Sequence, residues 1–385
     1  MSYELTEEQR MLQETVARLA KEQIAPEADK RDEKAEFSWE MVEILRDNGL
    51  FGADFPEKYG GSEMGMLALC IATEEIAKVC GSTAAIVLVH ELGAMPLFLA
   101  GSESQKEKYL PGMATGELLA AFALTEPNAG SDVSGIQTKA VKDGGQYVLN
   151  GRKIFISHGD AADVLSVVAR TDTSVPGHKG MSVFLVEKGT PGLSIGKHEN
   201  KLGIRASSTV ELIFEDARIP AENLLGAEGA GFPIAMKTFD FTRVPVAAQA
   251  VGIAQGALDL AIQYTKERVQ FGQPLFSFQG LQWMMADMTT QVEAARQLMY
   301  KTAALYEKVP KNTDRVPKEV VRYSAMAKLH AAETAMKVTT DAVQLLGGYG
   351  YMKEYPLERM MRDAKITQIY EGTSQIQKVI IANTL

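Results

Sequence analysis

Cysteine is scarce: two residues, Cys70 and Cys80, in a chain of 385. Neither has a histidine beside it at a zinc-ligand spacing, so two small thiols buried in a helical stretch are expected, not a disulfide framework or a zinc site. The five histidines are scattered and form no ligand pair, and no metal centre is expected. Basic charge is also short, 40 Lys and Arg against 49 Asp and Glu, for a net −9. That balance argues against nucleic acid as a partner, because phosphate binding needs a basic face. No run approaches the roughly 18 apolar residues that a membrane span requires. The opening segment MSYELTEEQRMLQETVARLAKEQIAP has acids where a signal peptide needs an apolar centre, and a cytoplasmic location is expected. Dinucleotide fingerprints are missing as well: Gly226, Gly229 and Gly231 have the wrong spacing and sit in no βαβ unit. No P-loop, nucleophile elbow or metalloprotease signature occurs.

What is present is a composition typical of folded chains, 46% hydrophobic and 23% charged. The length suggests two or three domains. Thr6-x-x-Gln9 predicts a capping box ahead of a helix with Leu12, Val16 and Leu19 on one face, limited by Pro26. A second helical stretch carries Trp39, Met41, Val42 and Leu45, and a turn follows at Tyr59, Gly60 and Gly61. Helical periodicity continues over 63–117. From about residue 120 the pattern changes to short β-branched segments, QYVLNG, RKIFIS, VLSVVAR, MSVFLVE and TVELIFED, which predict a compact antiparallel barrel or sandwich. In the last of these, Val210, Leu212 and Phe214 alternate with a wetter face. Helical spacing returns near Gly226. Met326, Leu329, Ala332, Met336, Val343 and Leu346 predict a buried helix face that stops at Gly347 and Gly348. The expected layout is thus α+β and multidomain: a helical domain over 1–119, a β domain over 120–226 and a helical domain over 227–385.

Four segments add chemistry: LTEPNAGSDVSG (124–135), ERVQFGQPLFSFQ (267–279), LGGYGY (346–351) and MRDAKITQIYEGTSQIQ (361–377). In order and spacing they resemble the signature segments of the acyl-CoA dehydrogenase family, and the resemblance covers practically the whole chain. It implies an N-terminal α domain, a middle β domain and a C-terminal four-helix domain. It further implies FAD, a homotetramer and an electron-transferring flavoprotein as electron acceptor. The implied reaction is α,β-dehydrogenation of a short- or medium-chain or cyclic acyl-CoA to the 2-enoyl-CoA, with hydride passing to FAD N5. An enoyl-CoA reductase, an acyl-CoA oxidase and a non-catalytic acyl-CoA-binding protein on the same fold stay open as alternatives.

The resemblance places the catalytic base at Glu371, beside Gly372. A carboxylate in a dry pocket gains basicity, and glycine lets the backbone approach a thioester closely. It places flavin contacts at Phe122, Leu124, Thr125, Gly130 and Ser131, and at Phe155 and Ser157. The commonest family pattern has Trp, Thr and Asn where this chain has Phe155, Ser157 and His158. For Phe155 taken alone, core packing is the competing reading. Arg268, Phe271, Gln279, Gln344, Gly347, Gly348, Thr373 and Gln375 match positions that reach a neighbouring subunit's FAD. Substrate contacts carry over to Ser131, Asp240 and Arg243, where the arginine would stabilise an ionised Glu371. His90 and Glu91 leave two readings open. Either both pack away from the acyl pocket, or Glu91 enters it as a second acid, as in family members acting on cyclohexene-type acyl-CoA.

Overall fold

In the computed structural model, which describes residues 5–309 and 315–385, the first helix begins where the capping box predicts. Thr6 Oγ1 accepts from the Gln9 N–H, and the Gln9 side chain accepts from the Thr6 N–H. Helix α1 (Glu7–Leu19) buries Val16 and Leu19. Pro26 does not end the helical path. A π turn at Ala20–Ile24 and a 3-10 turn at Ala25–Glu27 absorb the missing N–H and lead into α2 (Ala28–Lys34). Then come α3 (Trp39–Asp47), α4 (Gly65–Ala77), α5 (Gly81–Ala100) and α6 (Glu103–Thr115). Both cysteines are buried.

The middle of the chain supplies β1 (Ala120–Ala123), β2 (Lys139–Asp143), β3 (Gln146–Ser157), β4 (Val164–Arg170), β5 (Met181–Glu187), β6 (Leu193–His198), β7 (Thr209–Pro220) and β8 (Leu224–Leu225). They form one sheet in the order β6-β7-β3-β2-β4-β5-β8, with β1 added to β4. Two points differ from the sequence expectation. QYVLNG and RKIFIS are a single strand, β3, whose register against β7 shifts between Leu149 and Gly151 and again between Lys153 and Ile156. Gly151 reads as a break but serves as an irregularity within the strand. The sheet is also mixed, because β1 and β2 both run parallel to β4. Alternation on β4 divides the cores: Val164 and Val168 pack towards the helices, Leu165, Val167 and Ala169 into the strand-lined core.

The C-terminal part comprises α7 (Gly231–Glu267), α8 (Gln279–Tyr306), α9 (Lys318–Leu346), α10 (Leu357–Ile366) and α11 (Ser374–Thr384). Its core is continuous with that of the N-terminal helices, running from Val16 and Ile71 to Val251 and Ala335. The buried face of α9 matches the predicted one only in part. Ala332 and Leu346 are buried as expected, but Met326, Leu329, Met336 and Val343 sit half-buried on its flank, while Ala327, Lys328, Ala331, Ala335, Val338 and Ala342 complete the buried face. Small residues let α7 and α8 approach closely, and the longer side chains move aside. Contrary to the sequence reading, α5 and α7 are each long and apolar enough to cross a membrane by length and composition, with 78% of each apolar window buried inside the fold.

Candidate active site

Between α10 and α11 the chain turns back on itself, and Thr373 caps the new helix by accepting from the Ile376 N–H at 3.2 Å. Glu371 lies in this turn at φ 51° and Gly372 at φ 93°. A glutamate in left-handed backbone is uncommon and persists where its surroundings fix it. Gln377 Nε2 donates to the Gly372 carbonyl at 2.9 Å and the Glu371 carbonyl at 3.2 Å. Lys328 Nζ reaches the Gly372 carbonyl at 2.7 Å, and Arg243 Nε points at the Glu371 carbonyl from 3.5 Å. The φ of 93° calls for glycine at residue 372; a Cβ there would also lie 2.7 Å from Gln377 Nε2 and displace the end of that side chain.

The Glu371 carboxylate accepts from Thr242 Oγ1 at 2.5 Å. Burial raises its pKa to about 7, while the Thr242 hydroxyl, then the Arg243 and Lys328 cations, pull it down. The result is a carboxylate that is both ionisable and basic near neutral pH. Asp240, Thr242 and Arg243 come from one stretch of α7. Arg243 pairs with Asp240 at 2.7 Å, and burial raises the Asp240 carboxyl in spite of that partner. Tyr306 and Ser324 hydroxyls donate to the Asp240 carbonyl, the second at 2.8 Å. Phe241 rests against the Tyr306 ring at 4.9 Å.

A second cluster forms where the segment after β1 meets β3. The Ile154 N–H donates to the Thr125 carbonyl at 2.9 Å, which places Thr125 next to the residue before Phe155, with Ser157 further along the same strand. Phe155 sits at φ 57° and is 59% exposed, so core packing is not its role. Phe122 and Leu124 have their side chains in the core, which leaves main chain as their contribution to a ligand. Gly130 and Ser131 are exposed, and a Cβ at Gly130 would meet open space. His158 is buried at φ 57° with its Nε2 2.7 Å from Ser207 Oγ; burial lowers its pKa to about 3, and it acts as a neutral strut.

Sequence reasoning missed what holds this cluster. Lys153 is fully buried and donates to Glu126 Oε1 at 2.7 Å and to the Leu124 carbonyl at 2.8 Å. The Glu126 carboxylate also accepts the N–H groups of Gln137 and Thr138, at 2.6 and 2.9 Å. Burial acts to raise the Glu126 carboxyl, but Lys153 and these donors together hold it below its ordinary value. The ion pair therefore ties both ends of the 124–138 loop to β3. Lys153 points inward by ordinary alternation from Tyr147 and Leu149 on β3, but a lysine in that place does not read from sequence as a buried residue.

The third cluster is on the outer face of the C-terminal helices. Arg268 lies over the Tyr349 ring at 5.4 Å, beside a cleft of about 430 Å³ lined by Tyr264, Leu346 and Tyr355. Phe271 is 93% exposed, and Gln279, Gln344, Gly347, Gly348 and Gln375 are exposed as well. Added Cβ atoms at Gly347 and Gly348 would meet nothing within 4 Å. Among the described residues, no hydrogen bond or ring contact joins this cluster to the Phe155 cluster.

These features fit FAD. An outward Phe155 beside the hydroxyl residues Thr125 and Ser157 offers an apolar face with a polar edge, as a flavin ring requires. The open space at Gly130, Gly347 and Gly348 lets backbone approach a ligand, and the Arg268 fork suits a pyrophosphate.

Of the two residues left open on α5, His90 is structural. Its Nδ1 accepts from the Ala120 N–H at 3.2 Å, its ring meets Phe51 edge-on at 5.0 Å, and burial lowers its pKa to about 4. Glu91 is buried too; desolvation, then the Asp54 charge, push its carboxyl well above the usual range.

Three family models match the chain in succession: the acyl-CoA dehydrogenase N-terminal domain at residues 6–117, its middle domain at 121–217 and its C-terminal domain at 229–385. The chain is 51% identical to a short-chain-specific acyl-CoA dehydrogenase of Clostridium acetobutylicum, covering 100% of both. It is 49% identical to a cyclohex-1-ene-1-carbonyl-CoA dehydrogenase of Geobacter metallireducens, over 99% of this chain and 98% of that one. Its structure is similar to that of butyryl-CoA dehydrogenase from Megasphaera elsdenii, with a TM-score of 0.95, 46% identity and 100% and 99% of the two chains covered.

Proposed function

Because the chain belongs to the acyl-CoA dehydrogenase family, we propose that Glu371 is the base by which it takes the α-proton from a short-chain acyl-CoA. It is an FAD-dependent oxidoreductase that converts an acyl-CoA to the 2-enoyl-CoA. The observation that carries the assignment of the base is the Glu371 carboxylate, fixed by Thr242 at 2.5 Å inside a turn whose next residue, Gly372, sits at φ 93°.

When bound, FAD would supply the two-electron acceptor; Thr125, Gly130, Ser131, Phe155 and Ser157 would hold it, and Arg268 and Phe271 would serve the FAD of a second copy. The chain's own residues do the proton chemistry. A thioester α-proton is weakly acidic, and a hydrogen bond to the carbonyl oxygen increases that acidity. In this proposal the Glu371 N–H donates to that oxygen, so one residue both polarises the carbonyl and removes the proton. Thr242 keeps the carboxylate in one orientation. Arg243 and Lys328 compensate its charge once the substrate has expelled water. Ser131, Asp240, Arg243 and Gly372 are the assigned substrate contacts. A homotetramer passing electrons to an electron-transferring flavoprotein completes the proposal, supported by the exposed Phe271 and the outward Arg268.

A cyclic acyl group is the second reading, favoured by the buried acid Glu91 on α5. Anaerobic titration of the flavin-loaded enzyme with butyryl-CoA and with a cyclohexane- or cyclohexene-carbonyl-CoA separates the two. Bleaching of the visible flavin band by butyryl-CoA alone supports the short-chain reading. Bleaching only by a ring thioester, lost in Glu91→Gln, would replace it with the cyclic one. No bleaching by any thioester would overturn the catalytic assignment.

A further inference from the structure

We propose that Lys328 is a positioning residue of the reaction: from the buried face of α9 its ammonium group clamps the Gly372 carbonyl and so holds Glu371 in the left-handed turn from which it acts. The inference rests on Glu371 being the base.

A lysine with no exposed surface needs a reason, since its charge is costly to bury and it is usually a surface residue. Lys328 lies on α9 among alanines, and its Nζ is 2.7 Å from the Gly372 carbonyl. Glu371 is held at φ 51°, so the turn is strained at that residue and needs external support. Gln377 supports it from α11 and Arg243 from α7. Lys328 supplies the third attachment from a different helix. One turn earlier on α9, Ser324 Oγ holds the Asp240 carbonyl at 2.8 Å, and Asp240 in turn orients Arg243. A single helix face thus registers both the turn bearing the carboxylate and the α7 segment bearing Thr242 and Arg243.

The ammonium group also acts through charge. The charged and titratable groups around Glu371 are Arg243 and Asp240 on α7, Tyr306 on α8, Lys328 and Glu333 on α9, and Tyr370 in the same turn. Lys328 lowers the Glu371 pKa, whereas burial works in the opposite direction. Its own pKa falls to about 7 through burial, opposed by Glu371.

The test compares wild type, Lys328→Met and Glu371→Gln as flavin-loaded enzymes, following anaerobic flavin reduction by butyryl-CoA from pH 5.5 to 9. Lys328→Met is expected to keep a full flavin complement and its visible spectrum, with a plateau rate at least about tenfold lower. Its acid limb should move to higher pH by about one unit, because the carboxylate has lost a cation. A plateau within twofold of wild type and a superimposed acid limb would overturn the proposal and leave Lys328 as packing. If Lys328→Met fails to retain flavin, Lys328→Gln, which stays polar without the cation, is measured instead. Its limb should move the same way, and an unmoved limb again overturns the proposal. Glu371→Gln keeps the two failures apart: turnover in that variant removes the base, whatever Lys328 does.

Discussion

A glutamate in water is fully ionised at neutral pH and too weakly basic for a carbon acid, while one buried without partners stays protonated. Glu371 lies between these limits, because desolvation raises its pKa to about 7 and Thr242, Arg243 and Lys328 restrain the rise. Two outcomes follow from that balance. The rate of flavin reduction should climb with pH through about 7 as the carboxylate forms, read from a stopped-flow pH series. Stability should run the other way. With the folded-state pKa raised from 4.5 to about 7, the contribution of Glu371 to the fold is complete below pH 4.5 and is lost as pH climbs through 7. Glu371→Gln should therefore melt at or above the wild-type temperature at pH 8, an advantage that narrows towards pH 4.5; a variant that melts lower at pH 8 would contradict this. The proposed base was legible in the sequence because IYEGTSQ is a local motif. Lys328 was not, since a lysine at helical spacing reads as a solvated face and only the packing of α7 and α8 against α9 shows it buried.

Strand β3 connects sequence to site in a way that periodicity alone hides. Lys153 points inward in step with Tyr147 and Leu149, and the register shift that follows it, before Ile156, leaves the next aromatic, Phe155, outward at positive φ. The sequence reading of two short strands placed a break at Gly151, and so could not assign Lys153 to a face. Elements with plain alternation or a capping signal, β7 and α1 among them, were legible for the opposite reason: their local pattern and their buried face agree. The Lys153–Glu126 pair gives this scale its prediction. Lys153→Met leaves a buried carboxylate unpaired and should cost about 3–5 kcal/mol in thermal or denaturant unfolding. It should also lower flavin content, because both ends of the 124–138 loop are released. Adding Glu126→Gln should recover part of the stability, since no charge is then left without its partner. A Lys153→Met protein with wild-type stability and flavin would contradict the clamp.

For the molecule as a whole, helical segments precede and follow a sheet along the chain, and the two helical parts share one core, which anchors the turn at Glu371, while a core of strand and helix residues backs the segment leading to the loop at Thr125. What a single chain does not bring together is the cluster at Arg268, where Phe271, Trp283 and Tyr351 are largely exposed. Aromatic surface of that kind is expected to be covered by a second copy whose FAD Arg268 reaches. Arg268→Ala should then reduce flavin per chain several-fold after gel filtration while the unliganded protein melts as wild type does; full flavin retention would contradict the assignment. The account as a whole depends on the base, and the most direct measurement is the single-turnover rate of flavin reduction by butyryl-CoA in Glu371→Gln, with flavin content and substrate affinity measured on the same sample. A loss of about 10²–10⁴-fold with both bindings retained is the result predicted for removal of a general base. A rate close to wild type would place the proton abstraction elsewhere and contradict the account.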